Sequence, residues 1–294
     1  MPFGISVRLM NVTAQAYAQR RVHLNTEQLN ILKAKAKKNR LLALEGIFLA
    51  KSGHPGGSFS IAEIVTYLYN CEMKVSPEDP KNPNRDRLVL SKGHAAPALY
   101  AALAQKGYFS EEEMKSLRKV GSFLQGHPDS KKTPGIDMST GSLGQGLSTA
   151  CGMAFDNQDK FNVYCIVGDG ELQEGQIWEA VMMANHFKLS NLYVLVDYNK
   201  VQLSGPVEEI SEPGDIAKKF ETFGWFATEI DGHNFEEIET ALTACKAENR
   251  PSVIVCNTVK GKGVSFMEGN PKWHGNAPNA EQYEAAVKEI EAAE

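Results

Sequence analysis

The sequence predicts an α/β protein with a mostly parallel central sheet and helices on both faces. Four short runs carry the strand signal: DRLVL (86–90), NVYCIVGDG (162–170), NLYVLVDYN (191–199) and PSVIVCNTV (251–259). They are apolar, rich in β-branched residues and closed by turn formers. Helical patterns of about a dozen residues separate them, the alternation expected of a parallel sheet covered on both sides. Gly-rich turns follow strands or open helices, so they gather at one edge, where ligands bind beyond the carboxyl ends of the strands.

The first element is a long amphipathic helix from Thr26, a candidate N-cap, to about Lys51, with Leu29, Leu32, Ala36, Leu41, Leu44 and Phe48 at helical spacing. It stops at KSGHPGGSFS, where Gly53, Pro55, Gly56 and Gly57 predict a turn, and a second helix runs from Ile61 to about Tyr69. DRLVL is followed by a Gly-His turn at Gly93 and His94 and a helix to about Gln105. A loop rich in Gly, Ser and Thr opens a helix near Leu147, another helix spans about 174–187, and EQYEAAVKEIEAAE is an amphipathic tail helix. Residues 26–294 are expected to form one domain. Residues 1–25 read as a solvated arm; without an acid and with Arg8, Arg20 and Arg21, they also have a weak transit-like composition, and Met10 offers an alternative start.

The chain has 294 residues, 42% of them hydrophobic, with 25 Gly and 13 Pro, enough for a sizeable core. Its net charge of -5 argues against a nucleic-acid or anionic-membrane surface, while leaving a small anionic ligand open. No apolar stretch is long enough to span a membrane. Cys71, Cys151, Cys165, Cys245 and Cys256 show no Cys-x-x-Cys spacing, so they read as buried thiols in a reducing cytoplasm.

Asp169, flanked by Gly168 and Gly170, closes one strand, and Asn199 closes the next. A right-handed βαβ unit brings both to one edge. Burying an ionised carboxylate without a partner costs several kcal/mol or more, so Asp169 should be paired, solvated or bound to a metal. Aspartate and asparagine oxygens with a nearby carbonyl suit a hard cation such as Mg²⁺, which fills its other positions with phosphate oxygens and water. Alone, Gly-Asp-Gly also marks an ordinary turn.

The longer stretch GDGELQEGQIWEAVMMANHFKLSNLYVLVDYNKVQLSG resembles the thiamine-diphosphate motif. With SGHPG, LSKGHA, GHP and TGSLGQG before it and KGKGVSFMEGNPKWHG after it, the chain resembles the N-terminal half of transketolase from Lys35 to His274. The resemblance implies a diphosphate-binding domain in which Asp169, Asn199 and the Val201 carbonyl hold Mg²⁺, with Ca²⁺ or Mn²⁺ as substitutes. It also implies that His94, Gly168, Gly170 and His274 contact the diphosphate of thiamine diphosphate, and that Gly141 and Leu143 support the cofactor rings. The family often has Pro where Ser142 stands. His54 and His127 are implied to face the sugar, with His274 also counted among the catalytic residues, and imidazoles titrating near neutral pH suit the movement of hydroxyl protons. Glu174 and Glu179 match acids that network across a subunit interface; read without the family, they are exposed helix carboxylates. His23, His186 and His233 match no catalytic position and read as structural or exposed.

In the family, the glutamate that activates the cofactor lies in a following pyrimidine-binding domain, for which about twenty residues after His274 leave no room. The expectation is an N-terminal subunit of a split transketolase, inactive alone. A separate C-terminal subunit would supply the glutamate in an α₂β₂ assembly acting on sugar phosphates. Alternatives are a split transketolase for an unusual sugar phosphate, a 2-oxoacid dehydrogenase α subunit, 1-deoxyxylulose-phosphate synthase and a non-catalytic cofactor-binding subunit. SKGHA and TGSLGQG count against the dehydrogenase and the synthase, and His54 and His127 against the non-catalytic subunit.

Overall fold

The computed structural model describes residues 24–158 and 160–293, so His23 and nearly all of the expected N-terminal arm lie outside the described residues. Helix α1 (Thr26–Ala50) begins one residue earlier in its capping than the sequence predicts. Asn25, extended at φ -82 and ψ 168, accepts the Gln28 N–H, and the Gln28 side chain returns to the Asn25 N–H. That reciprocal box satisfies two donors which Thr26, already helical, cannot reach.

The turn expected over 53–57 is only partly a turn. Gly53 bends the chain at φ 152, and Pro55 then opens a short helix, α2 (Pro55–Phe59), because its fixed φ and missing N–H suit a first helical turn. Helix α3 (Ala62–Tyr67) follows and runs into a π-turn at Leu68–Glu72.

The sheet is built from β1 (Arg87–Leu90), β2 (Val163–Gly168), β3 (Leu192–Tyr198), β6 (Phe226–Asp231) and β7 (Ser252–Asn257), in the order β1-β2-β3-β7-β6 with every pair parallel. Between β3 and β6 lie a small antiparallel ribbon, β4 (Val201–Gln202) with β5 (Gly205–Pro206), and helices α7 (Val207–Ser211) and α8 (Ile216–Thr222). The remaining helices are α4 (Ala96–Lys106), α5 (Gln145–Asp156), α6 (Gly175–His186), α9 (Phe235–Lys246) and α10 (Ala280–Ala292). Strand β6 is absent from the sequence-based expectation. It sits at the sheet edge, half exposed, and its Thr228, Glu229 and Asp231 interrupt the apolar run that marks the central strands.

Alternate strand residues serve opposite faces, the period-2 consequence of the pleat. Tyr164, Ile166, Tyr193, Leu195 and Ile254 pack with α1, α3, α4 and α9 through residues such as Leu32, Ile64, Leu99 and Leu242. Val163, Cys165, Val167, Val194 and Val253 pack on the other face with Leu147, Ile177, Phe220 and Trp225. Four cysteines are buried as expected, but Cys71 is exposed because the π-turn rotates it out of the α3 face; no disulfide joins the described residues. No described helix is long and apolar enough to cross a membrane.

Candidate functional site

Register decides where the motifs meet. Gly168 of β2 lies opposite Asp197 of β3, so Asp169 and Asn199, just past those strand ends, emerge at the same edge. Asp169 is 3% exposed, and its carboxylate accepts the N–H groups of Gly170 at 2.7 Å and Lys200 at 2.6 Å. Lys200 holds φ 67, which aims its N–H at the carboxylate. Burial, then the neighbouring Asp197, push the Asp169 carboxyl up from 3.8 to about 7. The backbone donors therefore do not fully compensate its charge.

Asn199 is oriented from below. Its Nδ2 donates to Asp197 at 2.6 Å, which leaves Oδ1 on the side of Val201, whose N–H it accepts at 3.2 Å. Asp197 is fully buried and also accepts from Lys92 Nζ at 2.5 Å, from Ser60 Oγ at 2.7 Å and from Thr258 Oγ1. Although burial opposes it, this ring of donors, led by Lys92, holds the Asp197 carboxyl below its ordinary value. The Val201 carbonyl accepts from Lys260 Nζ at 2.6 Å.

Sequence reasoning missed Asp197, Lys92, Lys260 and Glu171. Lys92 and Lys260 stand inside the SKGHA and KGKG motifs, and both are buried, a placement lysine rarely takes unless paired. Burial, then Lys92, pull the Lys260 ammonium down to about 8. Glu171 accepts from Ser91 Oγ, from Gly144 N at 2.8 Å and from Gly168 N at 3.0 Å, tying together the ends of β1 and β2 and the loop before α5. Its three donors in one buried carboxylate were the available signal, but their convergence is visible only in three dimensions.

Four histidines cluster beside the site, and two of them, His94 and His274, line its cavity. The His54 ring lies 5.2 Å from His94, 6.4 Å from His127 and 5.6 Å from His274, and His94 stacks on His274 at 5.0 Å. Burial first, then nearby cations, hold all four below the ordinary imidazole range, with His54 at about 4 and His274 at about 3. The imidazoles are thus neutral at pH 7 in this state, rather than titrating there as the sequence suggested. Lys260 Nζ, a donor only, faces His274 Nδ1 at 2.8 Å, and Arg118 faces His54 Nδ1 at 3.4 Å, so each ring presents Nε2–H as a donor. Gly141, at φ 145, lets its loop pass His127; an added Cβ would come within 2.9 Å of that ring.

Lys92, His94, Leu143, Gly168, Asp169, Gly170, Asn199, Val201, Lys260 and His274 line one cavity of about 270 Å³. A larger cavity of about 420 Å³ behind Asp169 is lined by Trp178, Ile216 and Phe223 and gathers fewer polar groups, so the first is the better site. Glu174, the exposed residue that precedes α6, also lines the first cavity, whereas Glu179 is exposed on α6 and does not. His186 is also exposed, while His233 is half-buried and paired with Glu63.

The donor set fits a hard cation with a diphosphate. Carboxylate, amide and carbonyl oxygens converge, the undercompensated Asp169 charge calls for a cation, and Lys92, Lys260 and neutral imidazole N–H groups suit phosphate oxygens. No group of three or more His, Cys, Asp or Glu is gathered around a metal position among the described residues, so such a cation would depend on phosphate and water for its remaining ligands.

Comparison with known proteins gives the class, a thiamine-diphosphate-binding α/β protein: the family profile described as "Transketolase, thiamine diphosphate binding domain" matches residues 31–291. The chain belongs to the transketolase family, and along its length it corresponds to the N-terminal subunit of members divided into subunits. It is 48% identical over 270 residues to the 6-deoxy-6-sulfo-D-fructose transketolase subunit SqwG of Clostridium sp. (strain MSTE9), covering 90% of this chain and 98% of that one. It is 42% identical over 268 residues to an apulose-4-phosphate transketolase subunit of Phocaeicola vulgatus, covering 90% and 95%. The solved transketolase from Leishmania mexicana superposes with a TM-score of 0.84 at 31% identity over 88% of this chain but 41% of that one. The chain therefore spans about two-fifths of that undivided transketolase.

Proposed function

We propose that residues 26–294 form a diphosphate-binding domain acting as the N-terminal half of a split transketolase, which moves a two-carbon ketol unit from a ketose phosphate to an aldose phosphate. The observation that carries this reading is the convergence of His54, His94, His127 and His274 over Asp169, Asn199 and Val201 at one sheet edge. Asp169, Asn199 and the Val201 carbonyl would hold Mg²⁺, with Ca²⁺ or Mn²⁺ able to replace it. His94, Gly170, Lys92 and Lys260 would hold the diphosphate, and Gly141 and Leu143 the rings.

Bound thiamine diphosphate supplies the carbanion-stabilising chemistry of two-carbon transfer. The chain's own residues bind and move protons. His54 and His274 offer Nε2–H to sugar oxygens, since their Nδ1 atoms face Arg118 and Lys260. His127 contributes its ring to the cluster and, as a neutral imidazole, keeps a lone pair that can accept a hydroxyl proton from the donor ketose and return it to the carbonyl oxygen of the acceptor aldose.

The glutamate that activates the cofactor is expected from a C-terminal subunit with a pyrimidine-binding domain, in an α₂β₂ assembly. Leu143, Leu203 and Ile210 are 37%, 68% and 48% exposed near the cavity, and the exposed Glu174 and Glu179 would meet such a partner. Four buried thiols outside any disulfide fit a cytoplasmic enzyme. The 48% identity to a subunit named for 6-deoxy-6-sulfo-D-fructose favours a second reading, in which the ketose carries a sulfonate in place of the phosphate.

The test is to combine the chain with a transketolase-type C-terminal subunit, Mg²⁺ and thiamine diphosphate, and to follow ketol transfer from fructose 6-phosphate and from its 6-sulfo analogue. Transfer only in the combined sample supports the reading, and the preferred donor separates its two forms. Cofactor binding with no carbon transfer from any ketose would leave a non-catalytic binding subunit.

A further inference from the structure

His233 lies outside the cavity, yet both of its ring nitrogens are committed. The Arg40 guanidinium grips Glu63 with two bonds of 2.7 Å, and Glu63 Oε2 meets His233 Nδ1 at 2.8 Å. On the other side of the ring, Nε2 accepts the Val259 N–H at 2.9 Å. A backbone N–H only donates, so Nε2 carries the lone pair and Nδ1 carries the proton given to Glu63. The geometry thus fixes one tautomer.

Val259 is the middle residue of a segment whose two neighbours reach into the site. Thr258 Oγ1 donates to Asp197, and Lys260 Nζ donates to the Val201 carbonyl and faces His274. We infer that His233 is a positioning residue for the cofactor site: by accepting the Val259 N–H it sets residues 258–260, and through them Lys260 and the donors around Asp197. This inference rests on the cofactor reading proposed above. The Arg40–Glu63 pair is already charge-balanced without His233, so neutralising Glu63 does not account for the imidazole. What the ring adds is an acceptor for Val259.

Two substitutions separate the halves of the ring. In His233→Gln the amide oxygen stands near the place of Nε2 and can accept from Val259, whereas in His233→Asn the amide nitrogen stands near Nδ1 and can serve only Glu63. Binding of Mg²⁺ with thiamine diphosphate to the full chain is followed by calorimetry, beside melting temperature and amide exchange at Val259. Positioning predicts near wild-type affinity for the Gln variant, about tenfold weaker affinity for the Asn variant, and faster Val259 exchange only in the latter. Equal affinities in all three proteins, or losses that simply follow melting temperature, overturn the inference while the cofactor reading stands. Failure of the wild-type chain to bind, with or without a C-terminal subunit, overturns the cofactor reading itself and removes the inference with it.

Discussion

The Nζ of Lys260 donates to the carbonyl oxygen of Val201 at 2.6 Å, the oxygen proposed above as a metal ligand. A cation of the protein therefore already stands where a divalent cation is expected to share the oxygens. Lys260→Met should weaken Mg²⁺–thiamine diphosphate binding by about 10–100-fold, the equivalent of one charge-assisted bond of about 1.5–3 kcal/mol. Affinity for Mg²⁺ alone should not fall, because the Val201 carbonyl is released. Calorimetric titrations with and without the diphosphate check both halves; parallel losses would place Lys260 in the metal site rather than beside it.

Asp169 is a binding group that the cofactor-free fold carries at a disadvantage. Its folded value of about 7 lies above its ordinary 3.8, so the stability it contributes is present at low pH and lost as pH rises from about 4 through 7. Asp169→Asn gives up one of the two acceptors for Gly170 and Lys200 at every pH, but the melting temperature of the cofactor-free variant relative to wild type should rise from pH 5 to pH 8. The same variant should lose metal-dependent cofactor binding. A difference from wild type that stays constant between pH 5 and pH 8 would refute this account.

Replacing Asp197 should damage both stability and binding. Asp197→Asn leaves Lys92 buried without its counter-charge, a loss of about 3–5 kcal/mol for a broken buried pair, and frees the Asn199 amide to flip. The double change Lys92→Met with Asp197→Asn should recover much of the stability but not the cofactor affinity. Chemical denaturation and binding titrations on the three variants give the comparison.

The Arg40–Glu63 pair predicts a second pH dependence of opposite sign. Burial works against the Glu63 carboxylate, but Arg40 and His233 more than offset it and hold its pKa at about 2, below the ordinary 4.5. The stabilisation is thus complete above about pH 4.5 and lost as pH falls toward 2, in total on the order of 3 kcal/mol. The denaturation midpoint of Glu63→Gln should lie below that of wild type at pH 7, and the two should converge as the pH is lowered toward 3.

The central strands were legible because β2, β3 and β7 are buried on both faces and read as unbroken apolar runs. Strand β6 was not, since one side of the edge faces water and Thr228, Glu229 and Asp231 are tolerated there. In the site, Asp169, Asn199 and the histidines were found because each sits in a short motif. Asp197 was overlooked as one polar residue inside an apolar run, and only the fold shows Lys92, Ser60 and Thr258 arriving at it from three separate segments, beside its near neighbour Asn199. Neutral imidazoles were equally invisible, because their protonation depends first on burial and then on Arg118 and Lys260, which approach from distant parts of the chain.

The pairing of Gly168 with Asp197 separates two kinds of distance. Along the chain, Asp169 and Asn199 are joined by α6 and by the exposed turn at Lys188, which lies at the opposite end of the strands. Extra residues inserted at that turn would lengthen the path without moving either oxygen donor. A single-residue slip of β3 against β2 would instead turn Asp197 and Asn199 to other faces and dismantle the site. The sequence interval between the two motifs can thus change without moving the site, whereas the inter-strand alignment has no such latitude.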